Sequence, residues 1–154
     1  MPKRVTFGGV TPNLMYEDAG EALDWLERVL GFEERARYVD KDGIVRQAEV
    51  FVGASEVWLS GHGPGYWDQH ERGPDQYLVV WVDDVDAQYE RVRTAGASAK
   101  PPVDHTWGVR NFYVTDPGGY HWGFHCRLPS GYQQVKSVED GGLREIMKHP
   151  EPKS

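Results

Sequence analysis

The residues best equipped for chemistry stand on one short stretch, Tyr120-His121-Trp122-Gly123-Phe124-His125. An imidazole titrates near neutral pH and is a common metal ligand, so His121 and His125 offer either two ligands or an acid–base group. If the stretch is a strand, alternation puts His121, Gly123 and His125 on one face and Tyr120, Trp122 and Phe124 on the other. The second set suits a dry core. A plainer reading of the two histidines stands beside the chemical one: partly exposed, satisfied polar residues near the end of a strand, with no adjacent carboxylate. Glu49 and Glu56 are the nearest acidic candidates, and such residues mostly face water. Arg110 suits bidentate capture of a carboxylate or phosphate, or a structural pairing with Asp116. Cys126 has no activating base nearby in sequence and reads as a small buried or edge residue.

The element that must position the histidines is a hairpin. Asn111 to Thr115 and Tyr120 to His125 are rich in aromatic and β-branched residues, and Asp116-Pro117-Gly118-Gly119 between them is a strong turn signal. Earlier in the chain, Val10 to Tyr16 reads as a strand. Asp18, with Glu21 three residues on, opens a helix whose apolar residues recur at helical spacing up to Gly31. Phe32 to Tyr38, Ile44 to Val52 and Glu56 to Ser60 then alternate as strands. Gly61 to Pro74 is a loop containing His62, Tyr66, Trp67 and His70, either a solvated linker or a cover over a cavity. The order then repeats: a strand over Gln76 to Val82, a helix led in by Asp83-Asp84 and ended by Gly96, a short strand within Ser98 to Val103, and the hairpin. Leu14, Tyr16, Glu17 and Asp18 fall on Val80, Val82, Asp83 and Asp84, which argues for a duplicated module. Arg127 to Ser154 is polar, with a short helix expected around Gly142 to Lys148.

At 154 residues the chain fits one ordinary domain or two small repeats sharing a core. A single cysteine excludes an internal disulfide framework and suits a reducing compartment. No stretch approaches a membrane span, and the start lacks an apolar targeting segment, so a cytoplasmic, membrane-free protein is expected. The net charge of −7 and the lack of a basic stripe argue against nucleic acid. Six Trp and eight Tyr exceed the needs of a plain core and point toward a ligand cavity. No phosphate loop, nucleophile elbow or zinc-finger spacing is present.

The two β-α-β-β-β modules, the Asp116-Pro117-Gly118-Gly119-Tyr120-His121-Trp122 turn and the Val82-Asp83-Asp84-Val85-Asp86 junction resemble the vicinal oxygen chelate superfamily of glyoxalases, bleomycin-resistance proteins and dioxygenases. The chain is similar to its compact glyoxalase-like bacterial members over roughly Val10 to Cys126. The resemblance implies that metal-binding members place ligands at positions matching Thr11, Trp58, Tyr77 and Gly123, none of which is a good donor here. It also implies a homodimer, since relatives commonly complete their cavities across a two-fold. Trp58, Tyr77, Trp81 and Tyr113 share the parity of those positions, with Asn13 and Met15 beside them. They read as the aromatic lining of a pocket or as ordinary packing.

The expected fold is α+β, two βαβββ modules whose curved mixed sheets pair into a cleft or half-barrel. The expected domain spans 1–126, with module one at 8–61, a linker at 62–75 and module two at 76–126, followed by an appendage at 127–154. The expected function is metal-independent, cofactor-free binding of an aromatic or cationic small molecule by Asn13, Met15, Trp58, Tyr77, Trp81, Tyr113, His121 and His125. The competing expectation is a divalent-metal-dependent lyase, isomerase or dioxygenase using a set such as His121, His125 and Glu56.

Overall fold

The computed structural model describes Arg4, residues 6–73 and residues 76–129. The helix expected around Gly142 to Lys148 and most of the appendage lie outside the described residues. Strand β1 (Asn13–Tyr16) runs into α1 (Ala19–Trp25), where Asp18 is the N-cap, its Oδ1 accepting from the Glu21 N–H at 2.9 Å. A π-helical turn over Leu26–Leu30 continues α1 and buries Leu26, Val29 and Leu30. Gly31 ends it at φ +81°, and a Cβ there would sit 2.8 Å from Arg91 Nε. Strands β2 (Glu33–Val39), β3 (Val45–Val52) and β4 (Ser55–Gly61) follow.

The second module repeats the plan with β5 (Tyr77–Trp81), α3 (Val85–Thr94), β6 (Val103–His105), β7 (Val109–Thr115) and β8 (His121–Arg127). Asp84 caps α3 as Asp18 caps α1, accepting from the Ala87 N–H at 3.0 Å. The strand orders are β1-β4-β3-β2 and β5-β8-β7-β6, each with one parallel pair and two antiparallel pairs. Neither four-stranded mixed sheet closes, and β1 and β5 are edges. Sequence alternation is met in both. Leu14, Tyr16, Ala48, Val50, Val57 and Leu59 form the core with α1, and Phe112, Val114, Trp122 and Phe124 with α3. The intervening residues, including every proposed ligand-contacting strand residue, point to the opposite faces.

The hairpin turn is the seam between modules. Buried Asp116 accepts from Tyr16 Oη at 2.6 Å, Trp122 Nε1 at 3.0 Å and the N–H groups of Gly118 and Tyr120 at 2.9 and 3.0 Å. Tyr120 Oη donates to the Met15 carbonyl at 2.9 Å and accepts from the Met15 N–H at 3.0 Å, closing part of the β1 edge. Phe32 packs edge-on against Trp122 at 5.3 Å between centroids. Burial, aided by the Asp116 carboxylate, pushes the Tyr16 phenol far above its ordinary range and keeps it a neutral donor. The two turn glycines serve different ends. Gly119 takes φ +89°, whereas Gly118 leaves room for Tyr16, whose ring would lie 2.3 Å from an added Cβ. Arg110 does not pair with Asp116. It donates instead to Asp86 and Asp104 at 2.8 and 2.9 Å, because Asp116 is already saturated by four donors.

The linker contains a one-turn helix, α2 (Tyr66–Gln69), that its sequence did not signal. Tyr66 stacks between His62 and His70 at 4.2 Å from each ring, and His62 Nε2 lies 3.0 Å from Met15 Sδ. Arg72 sits over Trp67 and donates to the Gly118 carbonyl at 2.8 Å. These residues cover Met15 and the seam rather than forming a bare solvated linker. No described helix is long and apolar enough to cross a membrane.

Candidate ligand-binding face

Register across the second sheet gathers five of the eight candidate residues. Tyr77 lies opposite His121, Val79 opposite Gly123 and Trp81 opposite His125. On the other side of β8, Thr115, Tyr113 and Asn111 face the same three β8 residues. Tyr77 stacks on His121 at 5.0 Å and meets Tyr113 edge-on at 5.3 Å, and Trp81 lies 5.5 Å from His125. Tyr77, Trp81 and Tyr113 remain 59%, 52% and 43% exposed, a large aromatic patch for one chain. Arg127 places its guanidinium 4.6 Å over Trp81. A cleft of ≈ 890 Å³ skirts β5, bounded by Trp81, Val79, Phe51 and Glu56.

Gly123 is explained by this packing. A Cβ there would stand 2.6 and 2.9 Å from two Tyr113 ring atoms and 3.0 Å from His125 Nε2. The missing side chain lets Tyr113 lie across the strand. Behind it, buried Asn111 accepts from His105 Nε2 at 2.8 Å, and its Nδ2 reaches Tyr113 Oη at 3.4 Å and His125 Nδ1 at 3.5 Å. His105 in turn stacks on Trp107 at 5.1 Å. Asn111, His105, Trp107 and Arg127 are the members that sequence reasoning missed. For Asn111 the signal was present, since it shares the parity of Tyr113 in the same strand.

The plainer reading of the histidines holds for one of them. His121 is partly exposed and satisfied, its Nδ1 lying 2.9 Å from Thr115 Oγ1. His125 is 5% exposed and its Nε2 has no partner. Burial, and secondarily His105, holds the His125 imidazole below its ordinary value, so it is neutral near pH 7. The unfolded chain therefore binds the proton more readily. This stability contribution is complete above the unfolded value of 6.5 and is lost as pH falls below it toward the lowered folded value. Urea titrations across that window are expected to show stability rising with pH, and the His125→Phe variant a flatter profile. An unchanged slope in the variant contradicts the assignment.

Asn13, Met15 and Trp58 stand on the first sheet, where Asn13 Oδ1 accepts from Ser60 Oγ at 3.0 Å. This face is more polar. A register shift in β2 beside Arg35 accompanies its contacts with Glu49 and with Glu56 at 3.5 Å. Glu49 is buried at 9% exposure and ion-paired rather than wet.

The donors do not fit the metal that the family resemblance raises. His121 and His125 are four residues apart on one strand, about 13 Å along it, too far to share an ion. Glu56 belongs to the other sheet and is engaged by Arg35. Among the described residues, no three His, Cys, Asp or Glu side chains are grouped to hold one.

Comparison with known proteins agrees with this architecture. Residues 10–124 match the model of the Glyoxalase/Bleomycin resistance protein/Dioxygenase superfamily. An uncharacterized protein of Mycobacterium bovis is 28% identical over 120 residues, covering 73% of this chain and 79% of that one. The crystal structure of TioX from Micromonospora sp. ML1 superimposes with a TM-score of 0.64 at 34% identity, covering 78% of this chain and 100% of that chain. TnmS3, an antibiotic binding protein from Streptomyces sp. CB03234, gives 0.63 at 22% identity, covering 80% and 99%.

Proposed function

The chain belongs to the Glyoxalase/Bleomycin resistance protein/Dioxygenase superfamily, and we propose that within it this protein binds a flat aromatic or cationic small molecule without a metal. The observation that carries the reading is the exposed Tyr77, Trp81 and Tyr113 surface, held in fixed register by β5, β8 and β7. Aromatic faces attract planar rings and cations, and Tyr77 and Trp81, preset by β5, lose little freedom on binding. The similarity to TnmS3, described as an antibiotic binding protein, favours an antibiotic-like ligand. The net charge of −7 favours a cationic one.

Each sheet presents only half a cavity, and a second copy completes it in this reading. The aromatic face of one protomer then opposes the face of its partner that carries Trp58, Glu49 and Glu56. Sedimentation at micromolar concentration is expected to give a dimer. A monomer that still binds ligand would remove the two-chain cavity from the proposal.

The test of the function is a titration with trimethylammoniomethyl-anthracene, an aromatic cation, followed by tryptophan fluorescence. Saturable quenching that survives exhaustive chelation is expected. Binding restored only by a divalent ion would transfer the site to metal chemistry, and no binding up to millimolar probe would end the aromatic-cleft reading.

A further inference from the structure

His125 Nε2 is a buried polar atom with nothing to bond to. The ring around it is otherwise specified. Asn111 Oδ1 accepts from His105 Nε2 at 2.8 Å, which turns the Asn111 amide N–H₂ toward Tyr113 Oη and His125 Nδ1. The N–H₂ faces Nδ1 at 3.5 Å, the outer limit of a hydrogen bond, an arrangement that matches a lone pair on Nδ1 and the proton on Nε2. In that tautomer the orphan is a donor. It lies beside Gly123, 3.0 Å from the position of an added Cβ, under the edge of the Tyr113 ring.

Tyr113 is a removable cover. It is 43% exposed, and its hydroxyl is tied to the Asn111 amide by a bond of 3.4 Å, long for a hydrogen bond. Exposed rings change rotamer rapidly, and such a change costs this one little bonding. Gly123 adds no side chain that would fill the space. With Tyr113 swung aside, the N–H beneath stands beside the Trp81 ring, whose centroid is 5.5 Å from that of His125.

We propose that His125 Nε2–H is the polar anchor of this face, donating to a carbonyl or phenolate oxygen on an aromatic ligand whose ring takes the place of Tyr113. The inference rests on the aromatic-ligand reading above and narrows it to oxygen-bearing aromatics, of which quinones and hydroxyarenes are the simplest. Buried donors discriminate strongly, because a ligand without the acceptor leaves them unpaired. His105 and Asn111 are positioning residues in this arrangement: they fix which nitrogen of His125 carries the proton.

Two measurements on the full chain test it. Long-range nitrogen–proton correlation spectra of histidine-labelled protein near neutral pH are expected to show His125 neutral with its proton on Nε2. A proton on Nδ1 overturns the proposal. Titration then compares trimethylammoniomethyl-anthraquinone with the matching anthracene, which lacks the two carbonyl oxygens. The quinone is expected to bind about tenfold tighter, the worth of roughly one retained hydrogen bond, and to shift the His125 Nε2 resonance. In His125→Phe the two probes are expected to converge. In Tyr113→Ala, which tests the cover without touching the donor, the quinone preference is expected to persist. Equal affinities in the wild-type protein overturn the anchor and leave the aromatic face intact. Failure of both probes to bind defeats the functional reading itself, so the two failures are distinguishable.

Discussion

Replacing Asp116 by alanine is expected to cost about 3–5 kcal/mol, with the melting temperature falling by roughly 10–15 °C. The carboxylate accepts four hydrogen bonds at 4% exposure, two from side chains of different strands and two from the backbone of its own turn. Alanine leaves Tyr16 Oη and Trp122 Nε1 as buried donors without acceptors, and each then bears its desolvation penalty. Tyr16→Phe, which removes one donor and leaves a saturated turn, is expected to cost only about 1–2 kcal/mol. Chemical denaturation of both variants checks the ratio. A loss below about 1 kcal/mol for Asp116→Ala would mean that the seam does not hold the modules together.

That prediction shows why the hairpin was legible and its purpose was not. The Asp-Pro-Gly-Gly turn and the two-residue alternation of Trp122 and Phe124 follow from local rules, and both strands lie where the sequence put them. The duplicated strand–helix order, the two aspartate caps and the terminating glycines were likewise readable, since each depends on residues within a few positions. The partners of Asp116 were not, because Tyr16 is 100 positions away and enters through the packing of one module on the other. The same limit misled the reading of Arg110, whose nearest acid along the sequence was not its nearest in space.

The site divides along the same line. Tyr77, Trp81, Tyr113, His121 and His125 share a face, as alternation required, because register is fixed by the buried residues between them. Alternation carries no information on depth, so it could not separate partly exposed His121 from buried His125. The difference arises from Tyr113 leaning across Gly123, a contact between strands. Nor could it place Asn13, Met15 and Trp58 relative to the other five, since that depends on how two open sheets are brought face to face.

Trp81→Ala is expected to weaken binding of an aromatic cation about thirtyfold, or ~2 kcal/mol, while lowering folding stability by under about 1 kcal/mol. The asymmetry follows from exposure. Half of the indole is open to solvent in the single chain, so folding gains little from it, whereas a ligand stacked between it and Tyr77 covers the whole face. Trp58→Ala, on the first sheet, separates the two ways of completing the cavity. If the opposing wall comes from the partner protomer, each variant alone has one defective wall in every site. Refolding the two variants together then gives mixed dimers in which one site has both walls intact and the other has neither. Random pairing restores roughly a quarter of all sites to full affinity. If both walls come from one chain, every site in the mixture keeps one defect and no tight fraction is recovered. The recovered fraction in a ligand titration therefore reads the arrangement of the sheets directly, and zero recovery from correctly folded mixtures would place the cavity within a single chain.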